Sequence, residues 1–166
     1  MLERTGIPDD EQLARVTPSP ERRARGPVAV VECFQEIPCN PCYTSCRFGA
    51  MQPFEDINDL PEIDHEKCNG CGVCISRCPG LAIFVVDESY SESEAIVRIP
   101  WEFLPLPSPG DRVWALDRGG NVVGEARVER VLAAKAQDRT NQVWLAVPRG
   151  LSMVVRNMRA RESDGR

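Results

Sequence analysis

All eight cysteines of this 166-residue chain fall between Cys33 and Cys78. Thiols this dense make either disulfides or metal sites. Disulfides need an oxidising compartment, and the first 27 residues hold no apolar stretch that would serve as a secretory leader. A cytoplasmic chain with metal-binding thiols is therefore the expectation. The second run, Cys68-Asn69-Gly70-Cys71-Gly72-Val73-Cys74-Ile75-Ser76-Arg77-Cys78-Pro79, has the spacing C-x2-C-x2-C-x3-C-P. Thiolates at that interval let a tight loop wrap a cube and hold three of its corners, which is the spacing of a [4Fe-4S] cluster. Gly70 and Gly72 allow positive φ and bring backbone N–H groups close to cluster sulfurs.

The first run is Cys33-x5-Cys39-x2-Cys42-x3-Cys46, and it repeats the second at a fixed offset. Cys39, Cys42 and Cys46 precede Cys71, Cys74 and Cys78 by 32 residues each, whereas Cys33 precedes Cys68 by 35. The first run thus carries a three-residue insertion between its first two cysteines. Gly49-Ala50-Met51 stands against Leu81-Ala82-Ile83 at the same offset of 32. The pattern is two copies of one cluster-binding unit. Zinc is the competing reading, but four-cysteine zinc sites are usually built from two well-separated C-x2-C pairs. The proline-terminated run favours iron.

This pattern resembles the bacterial-type ferredoxins that carry two [4Fe-4S] clusters, and the resemblance covers residues 28–99. It implies that Cys33, Cys39, Cys42 and Cys78 hold one cluster. Cys68, Cys71, Cys74 and Cys46 would hold the other, because the fourth ligand of each unit crosses over in that fold. Two departures from the family pattern stand out. Arg47 takes the place of the proline after the fourth cysteine of the first unit, and Phe34-Gln35-Glu36-Ile37-Pro38 lengthens the loop after Cys33. Charge near a cluster tunes its potential. Glu36 is expected to lower the potential of the first cluster, and Arg47 to raise that of the cluster bound by Cys46.

A second resemblance rests on Glu32-Cys33-Phe34-Gln35-Glu36-Ile37-Pro38-Cys39-Asn40-Pro41-Cys42, on Pro79-Gly80-Leu81-Ala82-Ile83-Phe84 and on Phe103-Leu104-Pro105-Leu106-Pro107. Over about residues 28–159 the chain is similar to the small ferredoxin subunits of multisubunit FAD-dependent dehydrogenases. Those complexes oxidise amines or amino acids of the proline, hydroxyproline or opine type. The resemblance implies a hetero-oligomer with FAD-containing dehydrogenase subunits. Electrons would pass from reduced flavin through both clusters to a later acceptor, and no small-molecule substrate would touch this chain.

Other residues offer less chemistry. His65, the only histidine, lies three residues before Cys68 and reads as a solvated loop residue. One histidine builds no Ser–His–Asp set. Gly119-Gly120 lacks the Lys-Ser/Thr of a phosphate loop and reads as a turn. Phe34, Tyr43, Phe48 and Phe54 read as an apolar shell that limits water access to the clusters. The arginines of residues 149–166 read as a solvated face, without the stacking aromatics of a nucleic-acid site. A cluster fully ligated by cysteine leaves no position for substrate, so no catalytic residue is assigned. Single-electron transfer is the expected function, with the harder chemistry on a partner's cofactor.

The elements that must position the cysteines follow from periodicity. Val28-Ala29-Val30-Val31 reads as a strand feeding Cys33, with further strands at 81–86 and 95–99. The run 81–86 is the longest unbroken apolar stretch, far short of the ~20 residues that span a bilayer, so no membrane insertion is expected. Residues 1–27 read as a flexible N-terminal tail with at most a turn of helix over 9–16, or as an arm that orders on a partner. Residues 100–110 form a proline-rich connector. Residues 112–117, 122–129, 141–147 and 153–157 read as strands, with a hairpin turn at Arg118-Gly119-Gly120-Asn121. A phase shift at Val131 predicts a β-bulge, and a helix over 125–137 is the alternative. These strands predict a small β-barrel-like docking domain over 111–159 that leans on the cysteine domain, followed by a basic C-terminal tail at 160–166. The fold class expected is α+β: a bacterial two-cluster ferredoxin fold followed by a small antiparallel β domain.

Charge divides the chain in the same way. Residues 28–100 carry twelve acids against four bases, and residues 101–166 carry eight acids against eleven bases. Such asymmetry predicts different partners for the two halves. More than half of the chain does nothing obvious for the clusters and reads as docking surface. A fixed electron-transfer subunit is therefore favoured over two rivals. One is a free soluble ferredoxin serving several reductases, and the other a regulatory or nucleic-acid-associated protein with redox-sensing clusters.

Overall fold

Val28-Ala29-Val30-Val31 is apolar at every position, so a strand built from it must bury both faces. In the computed structural model, which describes residues 2–161, it forms β1 (Val28–Val31) with all four residues buried. Strand β2 (Ile83–Asp87) lies antiparallel beside it, Val30 opposite Phe84 and Val31 opposite Ile83. The remaining strands are β3 (Glu94–Trp101), β4 (Arg112–Leu116), β5 (Val122–Leu132), β6 (Asn141–Pro148) and β7 (Asn157–Ala160). They join in one seven-stranded sheet of order β1-β2-β3-β6-β5-β4-β7, antiparallel throughout. With a few short helices this makes a mixed fold.

The strands of 111–159, expected as a barrel-like domain leaning on the cysteine domain, do lean on it, but by joining its sheet rather than by closing on themselves. Strand β6 pairs with β3 along its whole length, from Glu94 opposite Pro148 to Trp101 opposite Asn141. The physical reason is area, because a few short strands alone bury too thin a core. Strand β3 supplies the missing surface: Val97 and Ile99 share one apolar cluster with Val143, Leu145 and Val147. The expected bulge is present, with the register shifting between Val128 and Arg130. It lets Ala126 and Val128 stay buried while Val131 packs against the same core. Residues 125–132 are strand rather than helix, and a short 3₁₀ turn follows at Lys135–Gln137.

Two further expectations differ from the structure. In the tail expected over residues 1–27 the turn of helix expected over 9–16 is present as α2 (Asp10–Val16), but α1 (Leu2–Thr5) and α3 (Pro20–Ala24) stand where flexible chain was expected. Helix α2 starts at a capping box in which Asp9 and Gln12 each accept from the other's backbone N–H. Helix α3 is held by charge rather than apolar surface: Arg22 is buried, and Arg23 pairs with buried Glu88 at 2.7 Å. Docking of that kind leaves no hydrophobic periodicity to read. The last strand, expected at 153–157, runs over Asn157–Ala160. The preceding residues turn instead, which carries the Arg156 side chain inward to Glu32, 2.8 Å away. The basic tail falls almost wholly at residues 162–166, outside the described residues.

Alternation along β1 and β2 splits the interior in two. Val28, Val30, Phe84 and Val86 face the main core. Ala29, Val31, Ile83 and Val85 face the other way, against Cys42, Met51 and Ile75. This second face carries the cysteine loops and their helices, α4 (Pro41–Thr44) and α5 (Val73–Arg77).

Candidate metal centre

The cysteine loops leave two cavities against the second face of β1. Cys33, Cys39, Cys42 and Cys78 line one, which encloses about 370 Å³ including its open mouth. Cys46, Cys68, Cys71 and Cys74 line the other, of about 360 Å³. Each run sends its last cysteine into the cavity of the other. Inward residues of β1 supply part of both walls, Val31 in the first and Ala29 in the second. Of the four aromatics expected to shield the site, Phe48 lines the second cavity and is 53% exposed. Tyr43 and Phe54 pack on each other with ring centroids 6.2 Å apart, and Phe34 lines a neighbouring groove.

The electrostatics of the thiols follow the same grouping. Burial pushes the Cys42 thiol up to about 11, with charge on Cys78, Cys39 and Cys33 adding to the shift. Burial pushes Cys74 up to about 12, and charge on Cys68, Cys71 and Cys46 raises it further. Cys33 is raised by burial and by Cys78 and Cys39. Burial also acts on Cys46, but the N–H groups of Met51, Phe48, Ala50 and Gly49 outweigh it and hold that thiol below its ordinary value. Thiols that raise one another's pKa become four thiolates only around a cationic core, and a bound metal deprotonates a coordinating thiol outright. Among the described residues no three His, Cys, Asp or Glu side chains converge on the position of a single ion. The donor set, four thiols around each cavity, fits a multi-atom thiolate-ligated core.

The second loop is gripped from three directions. Gly70 and Gly72 have φ of +66° and +80°, the conformation their spacing called for. A Cβ on Gly70 would lie 2.6 Å from the Pro27 carbonyl carbon, and one on Gly72 2.9 Å from Gln142 Oε1. From the N-terminal segment, Arg22 donates Nε to His65 O at 2.7 Å, Nη1 to Gly26 O and Nη2 to the carbonyls of Pro27 and Cys68. From β3, Arg98 Nη1 donates to Gly70 O at 2.7 Å. From β6, Gln142 Nε2 donates to Gly72 O and to Ser76 Oγ, both at 2.9 Å. The thiol of Cys68 accepts from the N–H groups of Ala29 and Gly70 at 3.4 Å each. His65 thus serves through its backbone carbonyl, while burial and nearby Arg22 hold its imidazole below the ordinary histidine value.

The first loop is held mainly at its ends. Ahead of it, Glu32 accepts from Arg118 at 2.6 and 2.9 Å and from Arg156 at 2.8 Å. Burial raises the Glu32 carboxyl, but the two guanidiniums outweigh it and hold the group below the usual carboxylate range. Within the loop, Cys39 N–H donates to Ile57 O at 3.2 Å. Among the described residues, 34–38 make no hydrogen bond to another element.

Sequence reasoning missed Arg22, Arg98, Gln142 and the Glu32–Arg118–Arg156 trio. One signal was available for Arg98. The alternation of β3 puts Ala95, Val97 and Ile99 on one face, and Ile96 with Arg98 on the other, so an apolar residue shares the arginine's face. That face was therefore covered, and the arginine with it.

Residues 61–84 match the family model for a 4Fe-4S binding domain, so the chain carries a ferredoxin-type 4Fe-4S domain around its second cysteine run. Several curated proteins are similar to part of the chain. Pyruvate synthase subunit PorD of Methanocaldococcus jannaschii is 42% identical over 52 residues, which cover 31% of this chain and 58% of that protein. A component of an ion-translocating oxidoreductase complex of Methanosarcina acetivorans is 45% identical over 47 residues, or 28% of this chain and 17% of the relative. Ferredoxin-type protein NapF of Escherichia coli is 33% identical over 52 residues, or 30% of this chain and 32% of the relative. The chain thus spans less than two thirds of the length of each. No solved structure matches it. Among the described residues no helix is long and apolar enough to cross a membrane.

Proposed function

We propose that this chain is an iron–sulfur electron-transfer subunit with two [4Fe-4S] clusters. One is held by Cys33, Cys39, Cys42 and Cys78, and the other by Cys46, Cys68, Cys71 and Cys74. The observation that carries the reading is the pair of cavities, each lined by four cysteines drawn from both runs. Clusters of this ligation supply one-electron chemistry at a potential set by charge, hydrogen bonds to sulfur and solvent exposure. The chain's own residues supply those settings. N–H groups of Ala29 and Gly70 point at Cys68, and that of Ala82 points at Cys78. Ala29 and Val31 keep one wall of each cavity apolar.

In this reading residues 28–99 hold the clusters and residues 111–159 dock, joined by the connector 100–110. The partner is a FAD-containing dehydrogenase subunit, whose reduced flavin passes electrons through both clusters to a later acceptor. Two relatives named as parts of larger enzymes support a place in a complex. The partner's flavin rests on the resemblance of the first loop and the connector.

The test is anaerobic purification from the native cell, with iron and sulfide determination and identification of the co-eluting chains. The expected result is about eight irons per chain together with a larger flavin-bearing chain. About eight irons on a lone monomer would make it a free ferredoxin instead, and about four would remove one cluster from the reading. The crossover has its own test. Cys46→Ala is expected to perturb the cluster of Cys68, Cys71 and Cys74 in iron content and EPR, and selective loss of the other cluster would refute the pairing.

A further inference from the structure

We propose that Arg98 is a buried charge-tuning residue of the Cys46, Cys68, Cys71 and Cys74 centre, and that it sets this centre's reduction potential above that of the other. The inference rests on the two-cluster reading above.

Arg98 is 8% exposed, and its guanidinium lies 3.8 Å from the centre of the Trp144 ring. Among the described residues it has no carboxylate at ion-pair distance, and Asp87 acts on it only through space. Its Nε is buried without a hydrogen-bond partner. A guanidinium stays protonated in proteins, and a buried cation without a counter-charge is costly. One carbonyl and one indole face offset part of that cost. An anionic group is the missing element.

The geometry shows where that anion belongs. Arg98 Nη1 donates to the carbonyl of Gly70, the residue before Cys71. The same atom lies 3.7 Å from where a Cβ on Gly72 would stand. Arg98, Trp144 and Arg130 are cross-strand neighbours on β3, β6 and β5, and the Arg130 guanidinium is 5.2 Å from the same ring. Two cations therefore flank one indole beneath the second loop. Four thiolates and four sulfides outweigh the charge of four irons, so the loaded centre is anionic, and reduction adds one more negative charge. A fixed buried cation favours the reduced form, and water screens it little.

The other centre has acidic groups around it. Its cavity wall includes the carboxylate-bearing Asp59, and Glu36 lies in the loop between its first two cysteines. Half-buried Arg118 and buried Arg156 share the single carboxylate of Glu32 and line the neighbouring groove. Electrons entering at the centre of Cys33, Cys39, Cys42 and Cys78 would pass downhill to the other.

EPR-monitored redox titration of the full holo-chain tests this, with wild type, Arg98→Gln and Arg98→Lys compared. Arg98→Gln is expected to lower the reduction equilibrium constant of one centre about tenfold or more, ~59 mV for one electron, and to leave the other unmoved. The centre that shifts must be the one perturbed by Cys46→Ala, and in the wild type it must be the higher of the two. Arg98→Lys keeps the charge without the planar fork and should keep the potential close to that of the wild type. A purely structural role predicts lost iron in both variants with unmoved potentials for whatever remains loaded. That result, or a shift at the other centre, overturns the proposal. About four irons in the wild type would instead overturn the two-cluster reading and the ordering, while the Arg98→Gln shift of the remaining centre still decides the role of the arginine.

Discussion

Cys39-x2-Cys42-x3-Cys46 and Cys71-x2-Cys74-x3-Cys78 have equal spacing, yet the two loops are held in different ways. The second is tied by side chains from α3, β3 and β6, three elements far apart in sequence. The first is anchored ahead of Cys33 by an ion-paired trio, and its insertion is left to itself. A repeated motif thus specifies what is bound, and the elements packed on each copy specify how rigidly and in what field. The difference follows from the sheet order, in which β3 and β6 are neighbours and send Arg98 and Gln142 to the second loop. Strand β6 lies beneath the second loop, while the first loop faces a broad groove beside Phe103 and Arg118.

The largest effect is expected where the first loop is anchored. Glu32→Gln leaves buried Arg156 and half-buried Arg118 without their carboxylate, which costs about 3–5 kcal/mol. Thermal unfolding followed by circular dichroism should show a fall of roughly 10 °C in Tm. The pH dependence has a definite sign. The folded carboxyl is held below its ordinary value, so its contribution is complete above the usual carboxylate range and lost as pH falls through the folded value. The gap between wild type and variant should stay constant from about pH 8 to about 5 and narrow only below that. A gap that narrows at higher pH would show that the trio is not the anchor.

Glycine substitutions then compare the loops directly. Gly70→Ala requires a side chain at positive φ and pushes its Cβ into the Pro27 backbone. The combined cost is about 3 kcal/mol, and the centre of Cys68, Cys71 and Cys74 should lose iron first when the protein is heated. Gly49→Ala also sits at positive φ, +62°, but its Cβ would meet open space. The expected cost there is about 1 kcal/mol, with iron retained by both centres. Equal losses in the two variants would contradict the unequal grip.

The chemistry was legible in the sequence because thiol spacing is a local property. The strand Val28–Val31, the bulge near Val131 and the positive φ of Gly70 and Gly72 were legible for the same reason. What stayed hidden was long-range. Arg22 reaches the carbonyl of Cys68 across 46 positions, and Gln142 reaches Gly72 across 70. Neither residue type, in a run of arginines or at the start of a strand, announces such a partner. The barrel expected over 111–159 misled because strand count was legible while strand pairing was not. The flexible tail misled because its docking uses guanidiniums, which composition scores as solvated.

The pairing of β6 with β3 has a consequence for how the chain can be divided. A fragment ending after Trp101 would keep every cysteine but turn β3 into an edge strand, its backbone donors and acceptors unmatched along the stretch that β6 covers. Val97 and Ile99 would lose the side chains of Val143 and Leu145 that shield them. A bare, apolar edge of that length recruits other strands, so the thiol-bearing part, cut free, would associate with copies of itself. The C-terminal strands keep the chain's own sheet from becoming a template.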